Sequence, residues 1–175
     1  MRTKLISFFC VLALAVVSHP CLDAKVIGKS KGYSGDVSLG GTIGLSTDFG
    51  TRFTLLTTHG YCNGNGSFIG LGTGVMADFS DNFTIPVYAK WTYTFNTDND
   101  LRPYVGSSLG FCVNDRTDAS VYVSPEVGVR LGRFFFNVQY SFYDYLGGIS
   151  NLGNNISVAN VYCYHAMSFG VGVSF

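Results

Sequence analysis

The 175-residue chain suits one domain, carries no net charge, and holds 13% charged against 47% hydrophobic residues. Zero net charge offers no global field for nucleic acid or an acidic partner. So little charge also fails to coat a water-soluble surface, where about a quarter to a third of residues are charged.

In chain order, the first element reads as a signal peptide. Arg2 and Lys4 supply the positive n-region, and Leu5 to Val17 form an apolar run of h-region length. That run is shorter than the about 20 residues of a membrane-spanning helix. Ala24, with Leu22 two positions before it, gives the expected cleavage site, and Ser18 is the second candidate. The expected division is a signal peptide over 1–24 and one barrel domain over 25–175. Pro20 departs from the small residue that would precede Cys21 at a lipidation site. Cys10 and Cys21 would leave with the signal. Cys62, Cys112 and Cys163 remain, an odd set with neither disulfide nor metal spacing.

After a polar lead-in over 25–31, bulky apolar residues alternate with small or polar ones at period two, as in strands with unlike faces. Eight such segments are predicted, roughly 35–46, 51–61, 67–79, 83–95, 101–113, 119–132, 134–145 and 162–175. Each is close to or above the 9–11 residues of a tilted membrane-crossing strand. In the fourth, Phe83, Ile85, Val87, Ala89, Trp91, Tyr93 and Phe95 oppose Thr84, Pro86, Tyr88, Lys90, Thr92 and Thr94. In the second, the adjacent Leu55 and Leu56 blur the parity. The predicted fold is all-β: a single eight-stranded antiparallel up-and-down transmembrane β-barrel.

The bulk of the two faces decides which points outward. An eight-stranded interior admits a single filling of side chains. The apolar face is too large for it, whereas the opposite face carries Gly70, Gly72, Gly74, Gly106, Gly110, Gly170 and Gly172. The apolar face must therefore meet lipid, and closure removes the unpaired edges that lipid forbids. With the N-terminus periplasmic, Phe83, Tyr140 and Phe142 fall near the outer rim. Trp91, Tyr93, Phe95, Phe134 and Phe136 fall near the inner rim, as girdle residues do. Gly132-Arg133 reads as a tight periplasmic turn, and 144–161 as the longest outer loop.

With its signal peptide, eight alternating strands and terminal Phe175, the chain resembles the small outer-membrane barrels of OmpA/OmpX type from Gram-negative bacteria. The run from Met167, with Phe169, Val171, Val173 and Phe175 on one face, resembles the last-strand signal read by the barrel insertion machinery. Thr57-Thr58-His59-Gly60-Tyr61 with Phe68-Ile69-Gly70-Leu71-Gly72 resembles the bacterial outer-membrane β-barrel domain proteins. Asn63-Gly64-Asn65-Gly66 departs from them by replacing an Asn-Pro-aromatic turn. The resemblance implies an outer-membrane address, with lipid and the insertion machinery as partners, and is nearly silent on activity.

No catalytic constellation is visible, and neither cofactor nor metal is expected. His59 faces outward near the inner rim. His165 and Ser168 are three apart and face opposite sides, unlike the His and Ser two apart on one face in outer-membrane lipid A deacylases. The Gly runs near Gly40 and Gly70 precede no helix and no Lys-Ser/Thr, so they are not phosphate loops. The triplets at Asn65, Asn82 and Asn155 are glycosylation sequons by letter only.

The informative polar set is Lys90, Arg102, Glu126 and Arg130, all on the small-residue face with Tyr88, Tyr104 and Tyr122. Charges at membrane depth pair with one another, so Glu126 is expected to bond Lys90, Arg130 or both and to fill the lumen. The expected function is a non-enzymatic structural or surface-interaction barrel presenting ligand-binding loops, chiefly 144–161. The alternative is a narrow porin-like channel for small ions or solutes, since lumen charge tunes selectivity.

Overall fold

The computed structural model describes residues 31–46, 50–78, 82–97, 100–114, 119–152 and 156–175. The signal-peptide reading lies outside them. Eight antiparallel strands follow in order: β1 (Lys31–Gly44), β2 (Thr51–Asn63), β3 (Ser67–Asp78), β4 (Phe83–Thr94), β5 (Leu101–Asn114), β6 (Ala119–Leu131), β7 (Phe134–Leu152) and β8 (Ile156–Ser174). Each pairs with its neighbours in sequence, and β8 returns to β1 to close the barrel.

Alternation determines which side chains fill it. Along β4 every second residue from Thr84 to Thr94 is buried, while Phe83, Ile85, Val87, Ala89 and Trp91 are exposed. The same parity exposes Leu39, Ile43, Leu71, Leu109, Phe111, Val127, Phe134, Phe136, Phe169 and Val171. This continuous apolar belt would be incompatible with water on a soluble protein. It matches the lipid-facing band of a membrane barrel. The blurred segment at Leu55 and Leu56 resolves with Leu56 inward and Leu55 partly covered in an unbroken β1–β2 register.

Six large inward side chains sit directly opposite glycines on a neighbouring strand. Tyr88 faces Gly72, Lys90 faces Gly70, Glu126 faces Gly106, Tyr104 faces Gly128, Asn137 faces Gly170 and Phe135 faces Gly172. A Cβ added at Gly128 would lie 2.6 Å from the Tyr104 ring. The missing side chains are thus the space that the aromatic rings occupy.

One expectation is corrected. Residues 144–161 do not form a long loop: β7 continues to Leu152 and β8 starts at Ile156, and the two pair on both sides of one irregularity. The pairing carries a register shift between Leu146 and Ile149. It falls at Gly147-Gly148, an irregularity within a continuing hairpin.

Candidate functional site in the lumen

The lumen divides into a central charge cluster and an end compartment beside the chain terminus. At the centre, Lys90 on β4 places Nζ 3.0 Å from Glu126 Oε1 on β6 and 3.9 Å from Asp36 Oδ2 on β1. The other carboxylate oxygen of Glu126 accepts hydrogen bonds from Asn137 Nδ2 at 3.1 Å and Gln139 Nε2 at 2.8 Å. All three charged residues are buried, as are Tyr88, Tyr104, Tyr122 and Tyr143. Hydroxyl pairs tie the wall together: Thr58 with Tyr88 at 3.1 Å, Ser124 with Ser141 at 2.9 Å, and Thr42 with Ser168 at 2.7 Å.

Of the four charged residues singled out in sequence, the structure joins Lys90 to Glu126 and keeps Arg130 apart. Arg130 donates from Nη1 to Ser174 Oγ at 3.1 Å, and its guanidinium lies 4.5 Å from the Tyr104 ring centroid and 5.5 Å from that of Phe135. Arg102 faces the lumen near the chain-terminal end, where it borders a cavity of about 340 Å³. Sequence reasoning missed Asp36, Asn137 and Gln139. Parity could have found them: Asp36 shares its face with Ser34 and Thr42, both buried.

The residues of the terminal run divide as their parity requires. Phe169, Val171 and Val173 are exposed on the belt. Phe175 exchanges backbone hydrogen bonds with Gly35, and its carbonyl accepts from Ser34 Oγ at 3.2 Å. Its ring packs edge-on to His59 at 5.9 Å, and a Cβ at Gly35 would meet that ring at 2.8 Å. His59 bonds Tyr33 and Thr57 on the outer wall, whereas His165 packs edge-on to Phe142 and tilted against Tyr140 near the opposite rim. Ser168 points inward to Thr42, so the His–Ser pair is split between faces. Among the described residues, no three His, Cys, Asp or Glu side chains converge as metal ligands would.

A closed eight-stranded barrel with a lipid-compatible belt and a filled, charge-paired interior defines a transmembrane β-barrel of the small type. No family model matches the chain, and no curated protein matches it in sequence. Among solved structures, the barrel is similar to Neisserial surface protein A, with a TM-score of 0.50 and 19% identity over 82% of this chain and 96% of that one. It is also similar to the outer membrane protein OprG from Pseudomonas aeruginosa, with a TM-score of 0.51 and 14% identity over 85% of this chain and 99% of that one. At these identities the likeness establishes the fold, an eight-stranded barrel of OmpA/OmpX type.

Proposed function

We propose that this chain is an integral outer-membrane protein without catalytic activity, a rigid stake whose working surface is the β7–β8 hairpin. The observation that carries the reading is the Lys90–Glu126–Asp36 cluster, which occupies the bore with paired charge among buried tyrosines. The belt requires lipid on every side, and the likeness to two barrels named for surfaces and outer membranes supports that address. With the chain-terminal end periplasmic, the hairpin stands at the cell surface. Seven residues beyond Tyr145, at about 3.4 Å each, extend β7 by about 24 Å of strand to Leu152.

The proposed partners are outer-membrane lipid along the belt, surface ligands along the hairpin, and the insertion machinery at Phe169, Val171, Val173 and Phe175. Export is directed by a signal peptide over 1–24, which is then cleaved. Planar-bilayer recording tests the closed lumen, with no unitary conductance expected from the purified barrel. Reproducible small current steps would overturn it and put a narrow channel for ions or small solutes in its place.

A further inference from the structure

The chain-terminal end of the lumen has a different character from the centre. The buried charged residues among those described are Asp36, Lys90, Arg102, Glu126 and Arg130, which leaves one cation in excess. The two carboxylates gather at Lys90. Arg102 and Arg130 instead stand directly opposite each other on β5 and β6, two cations on the ladder where Tyr104 and Glu126 face glycines. Like charges opposite each other across a sheet are destabilising unless something lies between or beside them.

Arg130 has Ser174 and the Tyr104 face. Arg102 is 94% buried by its 6% exposure, and its Nε has no hydrogen-bond partner. No described carboxylate lies within ion-pair distance of it. It borders the cavity of about 340 Å³ together with Gly64, Asn65, Gly66, Thr94, Phe95 and Asn96. Thr94 Oγ1, on the same wall, is also buried and unpartnered. Arg102, whose Nε is unpartnered, and Thr94, whose hydroxyl is unpartnered, thus line one polar cavity at the mouth of the barrel. Burying such donors unsatisfied is costly, and the cost is greatest for a charged one.

We infer that this mouth is a binding site for a small solute oxyanion of the phosphate class, held by Arg102 and Thr94, with Asn65 and Asn96 lining the same cavity. The guanidinium supplies charge-assisted donors in a planar fork, and the hydroxyl supplies a further donor. Several donors around one space suit an anion with three or four acceptor oxygens better than a two-oxygen carboxylate. The cavity leaves room for the anion with part of its hydration. The site is independent of whether the centre of the lumen is closed, because it opens at the chain-terminal mouth.

The test titrates inorganic phosphate, and separately acetate, into the full barrel in neutral detergent micelles. Phosphorus-31 line broadening and the shift of the unfolding midpoint are the readouts. Saturable phosphate binding is expected, with acetate weaker. Arg102→Gln should weaken phosphate binding about tenfold or more, as the loss of a charge-assisted contact implies. Arg133→Gln, which removes a charge from the exposed turn, should leave binding within about twofold. If Arg102→Gln does not give a folded barrel, Thr94→Val serves, with a several-fold loss expected. No saturable phosphate signal, or equal binding in the parent and Arg102→Gln or Thr94→Val, overturns the site. An equal loss in Arg133→Gln overturns it too, since the effect would then be bulk charge. Acetate binding as tightly as phosphate overturns the assignment of class.

Discussion

Lys90 and Glu126 meet across β5, where Gly106 leaves open the space beside the Glu126 carboxylate. Lys90 is level with Ser108 on β5, and Glu126 is opposite Gly106. A Cβ at Gly106 would sit 3.0 Å from Glu126 Oε1, in the space beside the carboxylate. The ion pair and the glycine are therefore one feature, and Asp36 reaches the same ammonium from the far wall.

That arrangement ranks the single substitutions. Lys90→Met leaves two buried carboxylates without their cation and should cost about 3–5 kcal/mol, the range for breaking a buried pair. Glu126→Gln leaves Lys90 with Asp36 and should cost less, about 1–3 kcal/mol. The double variant should be more stable than Lys90→Met alone, because only Asp36 then lacks a partner. Urea unfolding in lipid vesicles reads all three. A Glu126→Gln cost as large as that of Lys90→Met would mean that Asp36 does not share the ammonium.

Two glycines on opposite faces should respond with opposite sign. Gly41 has no neighbour closer than 4.0 Å to an added Cβ. Gly41→Ala therefore gains from restricting the unfolded chain, by about 0.4–1 kcal/mol. At Gly106 the new methyl would come within 2.6 Å of the Trp91 carbonyl oxygen and 2.8 Å of Thr92 Cγ2. Gly106→Ala should destabilise by about 1–3 kcal/mol through overpacking. Matching shifts of the unfolding midpoint at the two sites would refute the packed-lumen account.

The lipid belt is tested at Val87, which is 57% exposed in the middle of β4. Val87→Arg should cost about 2–4 kcal/mol in vesicles, the range for a cation on the lipid face at the midplane. Val87→Leu, which keeps the surface apolar, should change stability by less than about 0.5 kcal/mol. Arginine tolerated as well as leucine would place water, not lipid, against this wall.

Much of this was legible in sequence, and for one reason: a period of two needs only neighbours along the chain. Val87 outward and Lys90 inward follow from parity alone, as do the existence of all eight strands and, to within a few residues, the bounds of the first six. The partner of Lys90 is harder, because it depends on two registers in series, Lys90 with Ser108 and Gly106 with Glu126. Asp36 depends on closure between β1 and β8, which pairs it with Ser174 across the whole length of the chain. Arg102 carries the same parity signal as Lys90, yet no pattern of letters says that its neighbour across the ladder is another arginine. The β7–β8 hairpin escapes the alternation read from sequence, which stops at 145 and resumes at 162, because its far half rests on pairing that continues past a register shift.

The last prediction uses the three cysteines to fix the faces and the orientation together. Cys62 and Cys112 are buried in the lumen, whereas Cys163 is exposed. Cys163 pairs with Asp144, beyond the aromatic group of Tyr140, Phe142 and His165 that marks the rim on this side. It should therefore stand in water above the lipid. A charged maleimide added to the folded barrel of residues 25–175 should label Cys163 alone, and all three cysteines after unfolding in denaturant. On intact cells the same reagent should reach Cys163 if the hairpin end faces outward. Labelling only after the outer membrane is permeabilised would invert the proposed orientation. Labelling of Cys62 or Cys112 in the folded state would show that the lumen admits a solute of that size.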